Sequence, residues 1–472
     1  MADRTPAAWL ELLEHRLHER WNRWKIYDDY YEGDHRLSSW LAMVQSAFRG
    51  TVLGNLLSDL KDNYMPLVVD SSAERLRVQG FRFGKESEAD EDAWEIWQAN
   101  GLDAQANMVH TESIKLGESY WLVEPQGQGK TPVITCEHPS QVIVATAPGN
   151  RRNRLAALKK WVDDDGYVYA NLYLPDYVYK VKSQQKLSHY GGVSGGRINW
   201  QSIETVPNSL GLVPAVPMPN NPSMLRGGKS DLAGGPVSLQ DAIEKTVVDL
   251  LIGAEYHGLP QRVMLGVEPP RDPTTGKVIA DAEMQKQRLW YFNSKDAKAH
   301  EFSQADLKGL RESADGFIGD LAAQTRIPIY YFRPAAISNI SAEALIGLDA
   351  GLVKKSDDKK DPFGEGHEDM VRMSFKAMGD ETKANAVMAE TIWADTESRS
   401  QAQVVDAASK KRDLGVPFEQ IMEDIGYSPQ QIDRMVQQRE TDALLAVATL
   451  TEERNATESP QPGPDERLPT AA

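Results

Sequence analysis

The residues of this sequence that could do chemistry do not assemble into a reaction centre. Gly191-Gly192-Val193-Ser194-Gly195-Gly196 is rich enough in glycine to cradle a phosphate. Yet no lysine stands where a nucleotide loop needs one and no helical pattern follows, so it reads as a loop. Asp163-Asp164-Asp165-Gly166 has the carboxylates of a calcium loop, but Trp161 occupies the first-ligand position and no glutamate follows at the required spacing. A hairpin turn is the better reading. His367-Glu368 lacks the second histidine of a zinc-binding helix. His110 lies in an amphipathic pattern and is read as packed or solvent-facing. Cys136 is the single cysteine, which permits no internal disulfide and no thiolate cluster. No activating base or helix start stands beside it in sequence, so a buried structural thiol is expected. Among 69 acidic residues, spacing alone singles out no acid–base couple. The expectation is no catalytic residue, no metal and no cofactor.

Any site would depend on the elements that position it. A chain of 472 residues exceeds what one hydrophobic core supports, so more than one domain is expected. The formal net charge of −17 is opposite to that of a protein that grips nucleic acid by neutralising its phosphates. No apolar run is long enough to span a bilayer, and the charged N-terminal segment does not read as a secretory signal. Trp9, Leu12, Leu13, Leu17, Trp21 and Trp24 recur at helical spacing over residues 6–31, and Gly33 can cap that helix. Further helices are expected over 58–76 (with a break or late start at Pro66), 90–100 and 103–117. Period-two patterns predict strands over 120–123, 133–135, 141–144, 155–162, 167–174 and 177–181. Residues 183–236 read as a long connector.

Two helices, opened by Ser238 and spanning 303–326, bracket an excursion with strand-like stretches at 261–267 and 288–292. A loop follows, then a long helix over 341–378 that is bent or divided at Pro362, and a strand within 387–393. Polar helices complete the chain to residue 450. The tail beyond it is expected to be disordered. The fold class is α+β, mainly helical. Seven tryptophans fall before residue 125; most read as core, some as anchors between subunits.

The order of the segments carries more than any one of them. Tyr27-Asp28-Asp29-Tyr30-Tyr31-Glu32-Gly33-Asp34-His35-Arg36-Leu37 and the stretch from Asn63 to Asp70 come first. Then follow Glu74 to Arg82, His110 to Val123, Leu210 to Pro217, and Ser341-Ala342-Glu343-Ala344-Leu345. With these motifs the chain resembles the portal proteins of long-tailed bacteriophages, in the branch with a Tyr-Tyr-x-Gly motif near the N-terminus. The resemblance implies a ring of about twelve copies with wing, stem, clip and crown regions around a channel. By position, 1–236 corresponds to wing, 237–258 and 303–328 to the stem helices, and 259–302 to the clip. Residues 329–340 correspond to the tunnel loop, 341–395 to the kinked long helix and its return to the wing, 396–450 to the crown, and 451–472 to a disordered acidic tail.

The same resemblance gives the charges a place. Asp241, Glu244 and Asp249 of the first stem helix, and Asp306, Glu312 and Asp315 of the second, would line a bore that repels phosphate. A solvated helix face explains those charges without a channel. Arg333 and Asn339, in the tunnel loop, are the candidates to touch a passing duplex without reading its sequence. The implied partners are double-stranded DNA, the large terminase, the head–tail adaptor, and the major capsid and scaffolding proteins. The implied location is the virion, with the host cytoplasm during assembly, and no membrane. The alternatives are another capsid or tail structural protein without a channel, or an enzyme with an unrecognised carboxylate site.

Overall fold

The first helix, α1 (Pro6–Glu32), begins where Thr5 Oγ1 accepts the Ala8 amide at 3.3 Å and has proline in its first turn. It ends on Gly33 at φ 71°, as the sequence predicts. The computed structural model describes residues 4–35, 62–84, 89–186, 198–225, 227–258, 262–265, 289–292, 307–334, 341–397 and 401–457, with Met43, Ser46, Asn55 and Arg271 as isolated positions. After α1 come α2 (Met65–Ala73), β1 (Val78–Phe83), α3 (Glu91–Ala99) and α4 (Leu102–Leu116). Pro66 sits in the first turn of α2, so the late start holds and residues 62–64 are not helical.

A β-rich block follows. Strands β2 (Glu118–Glu124), β3 (Val133–Glu137), β4 (Val142–Ala147), β5 (Asn150–Val162), β6 (Tyr167–Tyr173), β7 (Tyr177–Lys186), β8 (Trp200–Pro207) and β9 (Ala215–Pro219) form two antiparallel sheets. Their orders are β3-β2-β9 and β4-β5-β6-β7-β8. The turn at Asp163–Gly166 joins β5 to β6, and the Asp163 carboxylate accepts the Tyr167 amide at 2.7 Å, a hairpin duty rather than a calcium one. Two strands correct the expected connector over 183–236. The pattern of β9 is masked by Pro217 and Pro219, which are tolerated because that strand lies at a sheet edge.

The chain then forms α5 (Gly235–Gly258), β10 (Arg262–Leu265), β11 (Leu289–Phe292), α6 (Leu307–Thr325) and the single turn α7 (Ile329–Phe332). Ser238 does not cap α5: the helix starts three residues earlier at Gly235, with Pro236 in its first turn. Strands β10 and β11 pair in parallel, Arg262 opposite Leu289 and Leu265 opposite Phe292. The loop expected over 329–340 opens instead on the helical turn α7. Asn339 and Asp306 lie outside the described residues, as does most of the 259–302 excursion.

The longest element is α8 (Ala342–Met378), 37 residues capped by Ser341 and closed by Gly379 at φ 92°. It runs through Pro362 as one helix, not two abutting ones. Burial of Phe363 and Met370 at 0% exposure offsets the hydrogen bond that proline removes. Then come α9 (Glu381–Ala384) and β12 (Ala389–Trp393), which pairs antiparallel with β1, and α10 (Gln401–Asp413), α11 (Phe418–Ile425) and α12 (Pro429–Thr457). Helix α12 extends to Thr457, so the expected disordered tail does not begin at 451. Residues 458–472 lie outside the described residues.

The main core gathers Trp97, Phe81, Ile114, Trp121, Met218, Ile318, Leu321, Phe363 and Met370, joining both stem-position helices to the N-terminal half. A second core presses Trp9, Leu10, Leu13 and Leu17 of α1 onto the five-stranded sheet at Ile143, Leu158, Ala170 and Leu172. Each such fully buried side chain contributes about 1.5–3 kcal/mol.

Candidate functional site

Helices α5 and α6 lie against each other in opposite directions. A Cβ on Gly235 would meet Gln324 Oε1 at 1.8 Å, and one on Gly253 would meet Leu307 Cδ2 at 2.7 Å. Both atoms are the far ends of flexible side chains, so the contacts mark the proximity of the two helices and not a requirement for glycine. The pair buries Ile243, Val248, Ala314, Ile318 and Leu321 and turns Glu312 and Asp320 outward.

The Tyr-Tyr-Glu-Gly-Asp-His segment attaches this pair to the N-terminal region. Past the Gly33 cap, the ring of His35 stacks on Tyr30 with centroids 4.1 Å apart. His35 Nε2 lies 2.9 and 3.0 Å from the two carboxylate oxygens of Glu244, and the paired side chains are 5% and 8% exposed. Burial pulls the His35 pKa down, but the hydrogen bond and charge of Glu244, with Asp241, hold it above its ordinary value. Gln240 Nε2 donates to Glu244 at 2.9 Å and to the Asp62 carbonyl at 2.6 Å, while its Oε1 accepts the Tyr64 amide. Tyr30 OH donates to Asp241 at 2.7 Å, and Tyr31 OH donates to Asp70 at 2.9 Å. Burial is the first cause that raises both phenols, and the carboxylates they serve add to it. The motif thus ties α1 to α2 through one tyrosine and to α5 through the other.

Two clusters among the described residues bring three metal-type donors within 4.8 Å: His35, Asp241 and Glu244, and Asp28, Glu112 and His138. In the second, the Lys115 ammonium stands 2.8 Å from both Asp28 and Glu112, where a cation would have to sit. In the first, the imidazole of His35, the amide of Gln240 and the phenol of Tyr30 serve the carboxylates. Both arrangements hold elements together by hydrogen bonds and ion pairs.

The expected wall residues divide. Glu244 is a correction: at 6% exposure its carboxylate turns inward to His35 and Gln240 and does not face a bore. Asp241 is exposed. Asp249 pairs with Lys245 one turn earlier, and Glu312 with Lys308 at 3.4 Å. Asp315 forms an ion pair with Arg333, which fastens the segment after α7 to the middle of α6. Arg333 is therefore engaged by a carboxylate and is one-third exposed, at 33%.

Sequence reasoning missed two buried constellations. His110 Nε2 and His367 Nε2 stand 2.9 Å apart at 0% exposure, among Trp97, Trp121, Phe363 and Trp393. Desolvation lowers the His110 pKa to about 3 and that of His367 well below the ordinary range, so both are neutral, one donating and one accepting. His110 is thus the packed alternative of the two expected. Asp231 accepts from Lys359 at 2.9 Å and Asn220 at 2.8 Å and forms an ion pair with Lys355 at 2.9 Å, tying α8 to the segment just before α5. Burial works against the Asp231 charge, but the two ammonium groups hold its pKa well below the carboxylate range.

The arrangement is one of anchored helices with outward carboxylates. Over residues 10–442 the chain matches the family described as "Phage portal protein, SPP1 Gp6-like". The chain belongs to that family. It is 31% identical over 405 residues to the "Portal protein" of Mycobacterium phage D29, covering 82% of this chain and 80% of that one. The same figures hold for the "Portal protein" of Mycobacterium phage L5. A solved chain from "Virion of native gene transfer agent (GTA) particle" aligns at TM-score 0.40 and 12% identity, covering 79% of this chain and 88% of its own. Portal proteins are structural components of the phage virion. Among the described residues, no helix is long and apolar enough to cross a membrane.

Proposed function

We propose that copies of this portal-family chain close into a ring of about twelve at one capsid vertex, whose axial channel passes double-stranded DNA inward in packaging and outward in infection. The observation that carries this reading is the α5–α6 pair. Its helices lie side by side, are fixed to the N-terminal region through a buried polar junction, and carry Glu312 and Asp320 outward. Repeated around an axis, such carboxylates repel a polyanion at every height, so the duplex slides without adhering. Asp249 belongs to the same wall; Glu244 fastens the helix that bears it.

In this reading Arg333 meets phosphates by exchanging them for Asp315, a bond between part-exposed groups that costs little to release. The excursion between α5 and α6, with its β10–β11 pair, is the edge that docks the large terminase and then the head–tail adaptor. The major capsid and scaffolding proteins are further partners of the ring. The protein acts mechanically and electrostatically and hydrolyses nothing. Negative-stain electron microscopy of the purified chain tests the proposal: closed rings with an axial hole are expected, and a population of compact monomers under assembly conditions rejects it.

A further inference from the structure

We infer that Arg75 sets the position of the α7 turn, and with it Arg333, by bonding that turn to the segment that leaves β12 for α10. A single helical turn is too short to hold its own place. Two backbone bonds close α7, from the Tyr331 amide to the Pro328 carbonyl at 3.1 Å and from the Arg333 amide to the Ile329 carbonyl at 2.9 Å. Ahead of it Arg326, at φ 58°, turns the chain out of α6 in a conformation that disfavours a side chain. The side chains of α7 therefore decide where it sits. Phe332 is buried and tilts against Tyr64 with ring centroids 5.8 Å apart. Tyr330 OH donates to Asp349 of α8, and Tyr331 OH accepts from Arg75.

Arg75 stands in the short connection between α2 and β1, flanked by the buried Ala73 and Leu76, and its own side chain is 12% exposed. Its Nη2 donates to Tyr331 OH at 2.8 Å and to Asp349 at 3.2 Å, and its Nη1 donates to the Thr396 carbonyl at 2.7 Å. These partners lie 256, 274 and 321 positions along the chain. A guanidinium is planar and rigid, so its donors cannot move independently. A shift of the Thr396 carbonyl turns the whole fork and displaces the donor that serves Tyr331. The segment after β12 has its own footing on α8: Thr396 Oγ1 donates to Asp357 at 2.7 Å, and Lys360 Nζ donates to the Ala394 carbonyl at 3.0 Å. Arg75 bonds that segment directly to α7. Arg333 follows, because its amide closes the turn. The use of this link in DNA passage rests on the ring reading above; the link itself does not.

Hydrogen exchange of the full-length chain, read by mass spectrometry, tests the inference. The windows are 328–333 and 394–397, with a peptide from α4 as the control for global opening. Arg75→Met should speed exchange in both windows by about tenfold or more and leave α4 unchanged. Thr396→Val removes the bond to Asp357 and should speed exchange at 328–333 about threefold, and in the Arg75→Met background it should add nothing there. No acceleration at 328–333, or one that persists without Arg75 and so runs through α8, overturns the inference. If Arg75→Met opens α4 as well, Tyr331→Phe decides. It removes one hydroxyl from α7 alone and should speed exchange at 394–397, and an unchanged rate there rejects the link. A chain that shows the expected exchange but closes no ring under the microscope sinks the ring reading and leaves this link standing.

Discussion

Replacing Glu244 by glutamine tests whether the buried junction is what fastens the first stem-position helix. The substitution keeps the shape of the side chain and removes its charge, leaving His35 at 5% exposure with only the exposed Asp241 carboxylate nearby. Breaking a buried pair from one side costs about 3–5 kcal/mol when the surviving charge cannot escape. His35 can escape by losing its proton, so the cost is limited to the charged hydrogen bond, about 1.5–3 kcal/mol. The sign follows from the histidine: its folded pKa is raised, so the pair contributes fully below its unfolded value near ~6.5. That contribution is lost as pH rises through the folded value. Thermal unfolding of the two proteins should therefore differ most at pH 6, and the gap should narrow by pH 9 toward the ~0.5–1.5 kcal/mol of a neutral hydrogen bond. A gap that stays constant across that range, or is absent at pH 6, would refute the ion-pair account.

Asp231→Ala should destabilise by about 3–5 kcal/mol in chemical unfolding, because it strands the ammonium of Lys359 at 1% exposure. Adding Lys359→Met should restore most of that loss. The neutral His110–His367 pair makes native stability fall with acid below the unfolded pKa near ~6.5, by about 1.4 kcal/mol per pH unit for each ring, until pH passes through the lowered folded values. Urea unfolding at pH 6.5 and 5 should show a shallower fall in the double variant His110→Leu, His367→Leu. Arg333→Gln gives up a part-exposed ion pair of about 0–1 kcal/mol and should leave ring assembly intact while reducing DNA packaging, with Arg333→Lys retaining it. Undiminished packaging by the glutamine variant would remove Arg333 from any role toward DNA.

Local signals were the legible ones. Gly33 as a helix terminator, the Asp163–Gly166 hairpin and the strand near residue 390 each follow from residues a few positions apart, and all three stand in the structure. The strands β8 and β9 did not show because prolines and polar residues obscure their alternation, and β9 is defined by pairing with β2 almost a hundred residues earlier. The junction was half legible. The Tyr-Tyr-x-Gly segment drew attention as a motif, but its purpose depends on His35 meeting Glu244 across 209 positions. A carboxylate on an amphipathic helix carries no mark of whether it faces water or a buried imidazole, and Glu244 was assigned to the wrong side for that reason. Asp231 with Lys359, 128 positions apart, was invisible on the same grounds.

The parallel pairing of β10 with β11 settles how tension would pass through that insertion. Helix α5 delivers the chain to the Arg262 end of one strand, and the chain departs for α6 from the Phe292 end of the other. Parallel alignment sets those two points at opposite extremities of the ribbon. A pull that spreads the two helices therefore slides one strand along its mate and strains all their hydrogen bonds together, whereas an antiparallel hairpin would peel open bond by bond. The crossover makes this short ribbon a clasp that yields only as a whole.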